Sequence, residues 1–253
     1  MKFSLETKEL REILESIQVK GKYAGTSGYT NSSLGTIVQM ILTDNNLTIY
    51  NGDATFIVRA DIEVNGIENG QCICDVSTIL SYLKTFGETT MFHSVDFITL
   101  SSDRKKATVP RIIQHDTSNY DRITALLKDV QYSAIPNELP KFNEHKFEGC
   151  FTIDSEVFSS CMQSMELVKA GTFKIDFTDV HALTLSSRQS VENRYEESVV
   201  PSHSLGEGAT VEFTSPLHKF FKKNQNLNFF IRDDFPILIM AYDRLVLKAP
   251  AIN

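Results

Sequence analysis

The chain has 253 residues, of which 42% are hydrophobic and 23% charged, and its 25 Lys or Arg against 32 Asp or Glu leave a net charge of −7. This composition excludes disordered, collagen-like and coiled-coil chains, and the length suffices for one large domain or two smaller ones. The acidic balance argues against a nucleic-acid partner unless positive charge is segregated onto one surface. Because no run approaches about 20 uncharged apolar residues and charge follows Met1 at once, we expect a cytosol-like location, with the four cysteines reduced.

The first half of the chain predicts two helices among short strands. Apolar residues recur at the helical spacing i, i+3, i+4 over 6–18 and again over 75–86. Between them, a stretch rich in glycine, serine and threonine predicts a surface loop over 21–35. Runs of β-branched and aromatic residues predict strands at 36–42, 47–51, 54–64, 70–74, 90–100 and 105–113.

A polar segment separates this half from the next. It covers 114–147 and contains Pro136 and Pro140, so it predicts an extended connector rather than part of either core. We therefore predict three parts, which are an N-terminal domain over 1–117, an interdomain connecting loop over 118–147 and a C-terminal domain over 148–253.

The second half repeats the order of the first. Helical spacing returns over 155–168 and 215–223. Strands are predicted at 148–154, 172–177, 180–186, 194–200, 208–214, 226–232, 235–241 and 244–249. Leu10 and Phe158, in the first helix of each half, are 148 residues apart, and Val76 and Leu217, in the second helix of each half, are 141 apart. This period predicts two copies of one α+β unit with antiparallel sheets.

The sequence offers no pattern for catalysis or metal binding. Its glycines lack the spacing of a nucleotide-binding loop, its six histidines lack a zinc-ligand spacing, and no Gly-x-Ser-x-Gly elbow is present. We therefore expect no catalytic residue, no metal, no cofactor and no enzymatic activity. A triad built from distant residues stays compatible with the sequence. The alternatives are thus a β-rich enzyme or ligand-binding protein with a composite interdomain site, and an acidic structural shell protein.

Positive charge is enriched near the predicted helices. Together with their flanking residues, these segments carry nine Lys or Arg against seven acids, while the rest of the chain is strongly acidic. The segment 215–223 holds Lys219, Lys222 and Lys223 with no acid of its own. Such lysines also complement the carboxyl end of a helix, so this excess alone only weakly favours duplex binding.

Several short motifs follow one another in a characteristic order. A strand at 209–214 leads into the basic segment 215–223, a strand at 226–231, a run at 234–242 and a closing run at 245–252. The connector carries the run 134–138. In this order they resemble DNA sliding clamps of the proliferating cell nuclear antigen (PCNA) type, and 42–52 is similar to the opening of bacterial clamp subunits. The closing run departs from the family pattern by one residue.

The resemblance implies a fold and a function. It implies two DNA-clamp domains per chain, with antiparallel sheets outside and two helices per domain lining the inner face of a homotrimeric ring. Such a ring encircles duplex DNA without sequence preference and holds a DNA polymerase at the template. The implied partners are a clamp loader and the clamp-binding peptide motifs of other replication and repair proteins, with no membrane. The implied location is the replication site, in the cytoplasm or nucleoid, or in a host cell if the source is viral.

The resemblance also implies site residues. Those facing DNA would be Lys8, Arg11, Lys84, Lys219, Lys222 and Lys223, with Lys20, Lys22 and Lys169 as additions. A partner-peptide pocket would comprise Phe56, Val58, Ile135, Pro136, Pro236, Leu247, Ala249, Pro250 and Ile252. Neighbouring subunits would join the edge strand near 105–113 to the edge near 194–200. Opposite charges would set that register, with Arg104, Lys105, Lys106 and Arg111 facing Glu192, Glu196 and Glu197.

Overall fold

The computed structural model describes residues 1–18, 34–53, 55–112, 118–131, 138–179 and 182–251. These residues form two compact units. Unit 1 contains 1–18, 34–53, 58–112 and 118–121, and unit 2 contains 55–57 and the described residues from 122 onward. The predicted loop over 21–35 lies almost entirely outside the described residues.

Unit 1 combines two helices with two groups of strands. In chain order its elements are β1 (Lys2–Glu6), α1 (Thr7–Ile17), β2 (Ile37–Thr43), β3 (Asn46–Gly52), β4 (Phe56–Glu63, whose first two residues belong to unit 2), β5 (Asn65–Glu68), β6 (Gly70–Asp75), α2 (Val76–Leu83), β7 (Thr89–Ser94), β8 (Phe97–Ser102) and β9 (Lys105–Pro110), with a 3₁₀ turn at Leu34–Thr36. The strands lie in the orders β5-β1-β7-β8-β9 and β4-β3-β2-β6. The apolar stripe of α1 is buried and α1 packs beside α2.

Unit 2 repeats this plan after a connecting region. The connecting region, which begins in unit 1, contains α3 (Ser118–Lys128), β10 (Val130–Gln131), β11 (Lys141–Phe142) and β12 (His145–Lys146). The repeated elements are β13 (Gly149–Asp154), α4 (Ser155–Leu167), β14 (Thr172–Asp179), β15 (Ala182–Arg188), β16 (Arg194–Val199), β17 (His203–Gly206), β18 (Ala209–Thr214), a 3₁₀ turn at His218–Phe220, β19 (Asn226–Ile231), β20 (Ile237–Ala241) and β21 (Arg244–Lys248). The strand orders are β17-β13-β19-β20-β21 and β16-β15-β14-β18.

The two units share one topology, which is the predicted duplication. Each strand order of unit 1 reappears in unit 2 with the equivalent strands in the same places. The cores match in detail as well. Phe3 stacks on Phe92 with ring centroids 4.9 Å apart, and Phe151 stacks on Phe229 at 4.8 Å. In both cases the first ring belongs to the unit's first strand and the second ring to the strand paired with it.

Three of the four predicted helices are confirmed as α1, α2 and α4. Carboxylates cap two of them, because Asp75 Oδ1 accepts the Ser77 N–H at 2.9 Å and Asp154 Oδ1 accepts the Glu156 N–H at 2.7 Å. Asp154 is therefore the cap of α4.

The predicted helix over 215–223 is wrong, since only His218–Phe220 forms a 3₁₀ turn there. Side chains replace the helical hydrogen bonds in this segment. Arg244 Nε donates to the Phe220 carbonyl at 2.9 Å, and the Lys222 N–H donates to Gln225 Oε1 at 3.2 Å. Ser215 precedes the turn with φ 75°, outside the helical region.

The connector is only partly extended. The interval predicted as a connecting loop holds the eleven-residue helix α3 and the three short strands β10–β12. The hydroxyl of Tyr120, which is buried, donates to the Ile37 carbonyl at 2.9 Å and anchors the start of α3 in unit 1. The predicted boundaries at 117 and 147 stay predictions.

Candidate functional site

The candidate cations of α1 are paired with acids of the same helix. Lys8 Nζ lies 4.0 Å from Glu12 Oε1, and Arg11 Nε lies 3.8 Å from Glu15 Oε1. Both pairs have the i, i+4 spacing of helical neighbours. Because the pairs are solvent-accessible they add little stability, but they reduce the positive potential of the face that was predicted to meet DNA.

Two lysines around the 3₁₀ turn of unit 2 are also paired. Lys219 Nζ lies 3.7 Å from Glu166 Oε1 of α4. Lys222 Nζ lies 3.0 Å from Asp243 Oδ2 in the turn between β20 and β21. These acids come from distant parts of the chain, so the sequence of segment 215–223 gives no sign of them.

A polar network around Asp243 holds this cationic segment in place. Gln225 Nε2 donates to Asp243 Oδ1 at 2.9 Å, while the Gln225 N–H donates to Ser155 Oγ at 3.1 Å. Burial works to raise the pKa of Asp243, but the Gln225 hydrogen bond and the charges of Arg244 and Lys222 outweigh it, so that pKa is lowered. The segment is thus positioned by side chains rather than by a helix.

The remaining candidate DNA-facing cations that the structure describes are exposed and have no ion pair within the described part of the chain. They are Lys84 at the carboxyl end of α2, Lys169 after α4 and Lys223 after the 3₁₀ turn. The additional candidates Lys20 and Lys22 lie outside the described residues. Positive charge beside the helices is therefore modest.

The predicted peptide pocket is described only in part, since Ile135, Pro136 and Ile252 lie outside the described residues. In unit 2, Pro236, Ala249 and Pro250 are half-buried and Leu247 is buried in β21. Phe56 is buried too and stacks on Phe220 with centroids 5.8 Å apart, which gives it a core role. Val58 is fully buried in unit 1.

The sequence reasoning missed an aromatic cluster next to Pro236. Phe235 contacts Phe142 and Phe147 with ring centroids 5.8 and 5.7 Å away, and the His145 ring lies 5.7 Å away. Arg232 adds its guanidinium 5.8 Å from the Phe235 ring. The β11–β12 hairpin of the connector therefore covers this end of the sheet with aromatic side chains.

A thiol and a carboxylate meet between α4 and the edge strand β16. Cys161 Sγ donates to Glu197 Oε2 at 3.3 Å, and the Tyr195 hydroxyl donates to the same oxygen. Burial, followed by the hydrogen bond to Glu197, raises the pKa of Cys161 to about 12. A thiol with so high a pKa is not a nucleophile, so the contact ties β16 to α4.

The remaining features offer little for catalysis. A cleft of about 410 Å³ opens on unit 2, lined by Thr172, Phe173, Lys174, Ser186, Ser187, Arg188, Arg194, Tyr195, Glu196 and Glu212. Histidine and cysteine are missing from this lining, and Lys174 pairs with Asp176 at 3.0 Å. Across the described ranges, no three His, Cys, Asp or Glu side chains converge as metal ligands, and no helix has the length and apolarity to span a membrane.

No protein family model matches this chain, and no curated protein does. Solved sliding clamps, in contrast, match its whole length. A. fulgidus PCNA, in a structure with the C-terminal region of FEN-1 bound, superposes with a TM-score of 0.71 at 12% identity over 100% of this chain and 98% of that one.

Bacterial clamps match as well. The DNA polymerase III beta chain from Streptococcus pneumoniae has a TM-score of 0.72 at 17% identity, with 100% of this chain and 65% of that chain covered. The Helicobacter pylori beta clamp bound to a DNA ligase peptide has a TM-score of 0.64 at 10% identity, with 100% of this chain and 67% of that chain covered. The chain thus spans about two thirds of these beta subunits.

These similarities establish the fold, and the predicted α+β fold of two clamp-type domains is confirmed. The chain has the sliding-clamp fold.

Proposed function

We propose that this protein is a DNA sliding clamp, a non-enzymatic processivity factor that encircles duplex DNA and tethers a replicative polymerase and other DNA-processing proteins. The observation that carries this proposal is the repetition of one strand topology in both units, over a chain that matches 98% of a PCNA subunit. A clamp ring contains six such units, and each chain supplies two of them, so three chains would form one ring. The proposed place of action is the replication site, in the cytoplasm or nucleoid.

The edges of the sheets support a closed trimer. β9 ends one strand order of unit 1 and β16 ends one of unit 2, so among the described strands each has a neighbour on one side only. Lys106 of β9 and Glu196 of β16 are exposed. Two neighbouring charges are engaged within the subunit, since Lys105 donates to the Thr85 carbonyl and Glu197 accepts a hydrogen bond from Cys161. We therefore assign the intersubunit ion pair to Lys106 and Glu196.

Native mass measurement tests the trimer, with three times the 28.5 kDa of the chain as the expected value. Lys106→Glu and Glu196→Lys should each weaken assembly, and the double variant, which restores opposite charges, should recover it. A chain that stays monomeric at all concentrations and binds a small molecule would favour the alternative, a β-rich enzyme or ligand-binding protein.

DNA binding by topology needs only weak contacts, and the modest excess of exposed cations supports this mode. A closed ring is held on circular DNA even when salt screens the phosphates, because circular DNA has no end over which the ring could slide off. Subunits assembled in the presence of nicked circular plasmid should stay bound in high salt, and linearising the plasmid should release them. Equal retention on linear and circular DNA would contradict the proposal.

The partner site of unit 2 is proposed around Pro236, Leu247, Ala249 and Pro250. Two clamps of the same fold were solved with partner segments bound, the C-terminal region of FEN-1 and a DNA ligase peptide. These two peptides serve as probes. Pro250→Glu should abolish their binding, since the half-buried proline would be replaced by a charge, and should leave the trimer intact. Unchanged binding would remove Pro250 from the site.

A further inference from the structure

The cleft of about 410 Å³ in unit 2 opens on one face of the β16-β15-β14-β18 sheet. Glu197 of β16 accepts a hydrogen bond from Cys161 of α4, so its side of the sheet faces α4. Because side chains alternate along a strand, Arg194 and Glu196 point away from α4. Both line the cleft, which therefore lies on the side of the sheet opposite to that helix.

Two arginines face each other across neighbouring strands at one end of the cleft. Arg188 of β15 is paired in register with Arg194 of β16, and both residues are exposed. The Cβ atoms of such a pair are about 5 Å apart, and like charges at this spacing destabilise a sheet. Across the described ranges neither guanidinium has an ion pair. The pair is therefore a local concentration of positive charge that an anion would relieve.

Hydroxyl groups lie beside this charge. Thr172 of β14 and Ser186 of β15 line the same cleft and are half-buried. Ser186 is paired with Lys174, so continuing that register by two residues places Thr172 opposite Arg188. Guanidinium and hydroxyl groups donate hydrogen bonds to phosphate oxygens, and an arginine can bind two of these oxygens at once. This end of the cleft therefore has the donors of a phosphate site.

The other end of the cleft is acidic. Glu212 of β18 is paired in register with Lys174, but Lys174 forms its ion pair with Asp176, at 3.0 Å. Glu196 also lies in the lining and is assigned to the intersubunit ion pair, which leaves Glu212 to accept hydrogen bonds from a ligand. Glu212 is two strands and two residues away from Arg188, about 12 Å between Cα atoms. A small ligand with a phosphate at one end and hydroxyl groups at the other fits between these long side chains.

We propose that this cleft binds a phosphorylated sugar, either free or as the sugar and phosphate of a nucleotide. We call it the arginine cleft and define it by Thr172, Ser186, Arg188, Arg194 and Glu212. The phosphate binds the two arginines and the two hydroxyl groups, and Glu212 accepts hydrogen bonds from the sugar. Its volume lies in the range of small-molecule sites, and its polar lining suits a charged ligand.

This inference goes beyond the proposed function and does not depend on it. The arginine cleft faces away from α4, whereas the encircled duplex is proposed to meet the helices. Edge pairing of β16 in a ring uses the backbone of the strand, so side chains on the face of the sheet stay accessible in a trimer. Binding of a small ligand can therefore be measured on the intact protein in any assembly state.

Isothermal titration calorimetry of the intact protein tests the proposal, with ribose 5-phosphate as the main probe. Ribose 5-phosphate should bind saturably and at least about tenfold more tightly than inorganic phosphate, because only the sugar reaches Glu212. Adenosine 5′-monophosphate separates the two sources of this chemistry. Tighter binding than that of ribose 5-phosphate identifies a nucleotide, and equal or weaker binding identifies a free sugar phosphate; both results support the arginine cleft.

Matched variants locate the binding site. Arg188→Gln and Arg194→Gln should each weaken binding of ribose 5-phosphate at least about tenfold. Neither should lower the free energy of unfolding without ligand, since each removes the repulsion between the two guanidinium groups. Glu212→Gln should weaken binding of ribose 5-phosphate but not of inorganic phosphate. Arg122→Gln is the control, because Arg122 is an exposed arginine of α3 in the same unit, lies outside the cleft and should have no effect.

Four results would each overturn the proposal. Without saturable binding of ribose 5-phosphate or adenosine 5′-monophosphate, the cleft is not a site for this ligand. Equal affinity for inorganic phosphate and ribose 5-phosphate leaves an anion site that does not recognise a sugar. Equal losses in Arg122→Gln and Arg188→Gln indicate general attraction to positive charge. Displacement of ribose 5-phosphate by duplex DNA assigns the cleft to a nucleic-acid backbone. In every case the native mass and the plasmid retention still report on the proposed function.

Discussion

Lys222 and Lys223 are adjacent in the chain, yet the structure gives them different roles. Lys222 pairs with Asp243 at 3.0 Å, and the Asp243 side chain is only 11% exposed. Lys223 is exposed, with no ion pair in the described part of the chain. We therefore expect Lys222→Ala to act on stability and Lys223→Ala to act on DNA binding. This separation tests whether the cationic segment is held by its side-chain network.

The magnitudes follow from the surroundings of each lysine. The Lys222 side chain is 39% exposed, so water screens the pair and its loss should cost about 1 kcal/mol in the free energy of unfolding. Asp243→Ala should cost about 2 kcal/mol, because it also removes the hydrogen bond from Gln225. Lys223→Ala should change that free energy by less than about 0.5 kcal/mol.

Two measurements separate these effects. Urea unfolding, followed by circular dichroism, reports the change in stability. The salt dependence of DNA binding reports how many phosphates the protein neutralises. If Lys223 neutralises one phosphate, the slope of log K against log salt should become shallower by about 0.9 in Lys223→Ala. The assignment is refuted if Lys222→Ala leaves stability unchanged, or if it alters the salt slope as much as Lys223→Ala does.

Three further predictions concern stability and reactivity. Because the pKa of Asp243 is lowered in the folded protein, the ionised side chain contributes to the free energy of unfolding above about pH 4. This contribution is lost as the pH falls through the folded pKa. The urea midpoint should therefore fall less between pH 7 and pH 3 in Asp243→Asn than in the natural chain. Phe92→Ala and Phe229→Ala should each cost about 3–5 kcal/mol in unfolding free energy, since both rings are fully buried in equivalent stacks, and a much smaller cost in one unit would contradict the equivalence. With a pKa of about 12, Cys161 should react with thiol reagents at pH 8 far more slowly in the folded protein than in urea, and Glu197→Gln should speed that reaction.

Much of the fold could be predicted because it depends on local patterns. Most strands of both units and the helices α1, α2 and α4 have apolar residues at the spacing of their own secondary structure, which a short window of the sequence contains. The strands β1, β5 and β17 were not predicted. The repeat near 140 residues follows from the order of those elements. Segment 215–223 has the same helical spacing and is not a helix, because Arg244 and Gln225, outside the window, bind its backbone.

The candidate sites could be predicted only as residue types. Lysines near helices were visible in the sequence, but Glu166 and Asp243, which pair with Lys219 and Lys222, come from other elements. Phe56 was predicted to line the peptide pocket, but it is buried and stacks on Phe220 in the core. The periodicity of the sequence likewise did not indicate the aromatic cluster around Phe235, because its contacts depend on the β11–β12 hairpin of the connector.

The sequence by itself determined the class of the fold, its antiparallel strands and its duplication, because backbone geometry and side-chain alternation are properties of neighbouring residues. Only the tertiary structure decided which cations of the described residues form ion pairs and that Phe56 packs on Phe220 in the core. Pairing and burial depend on side chains brought together from distant parts of the chain, and two copies of one topology can therefore present different surfaces.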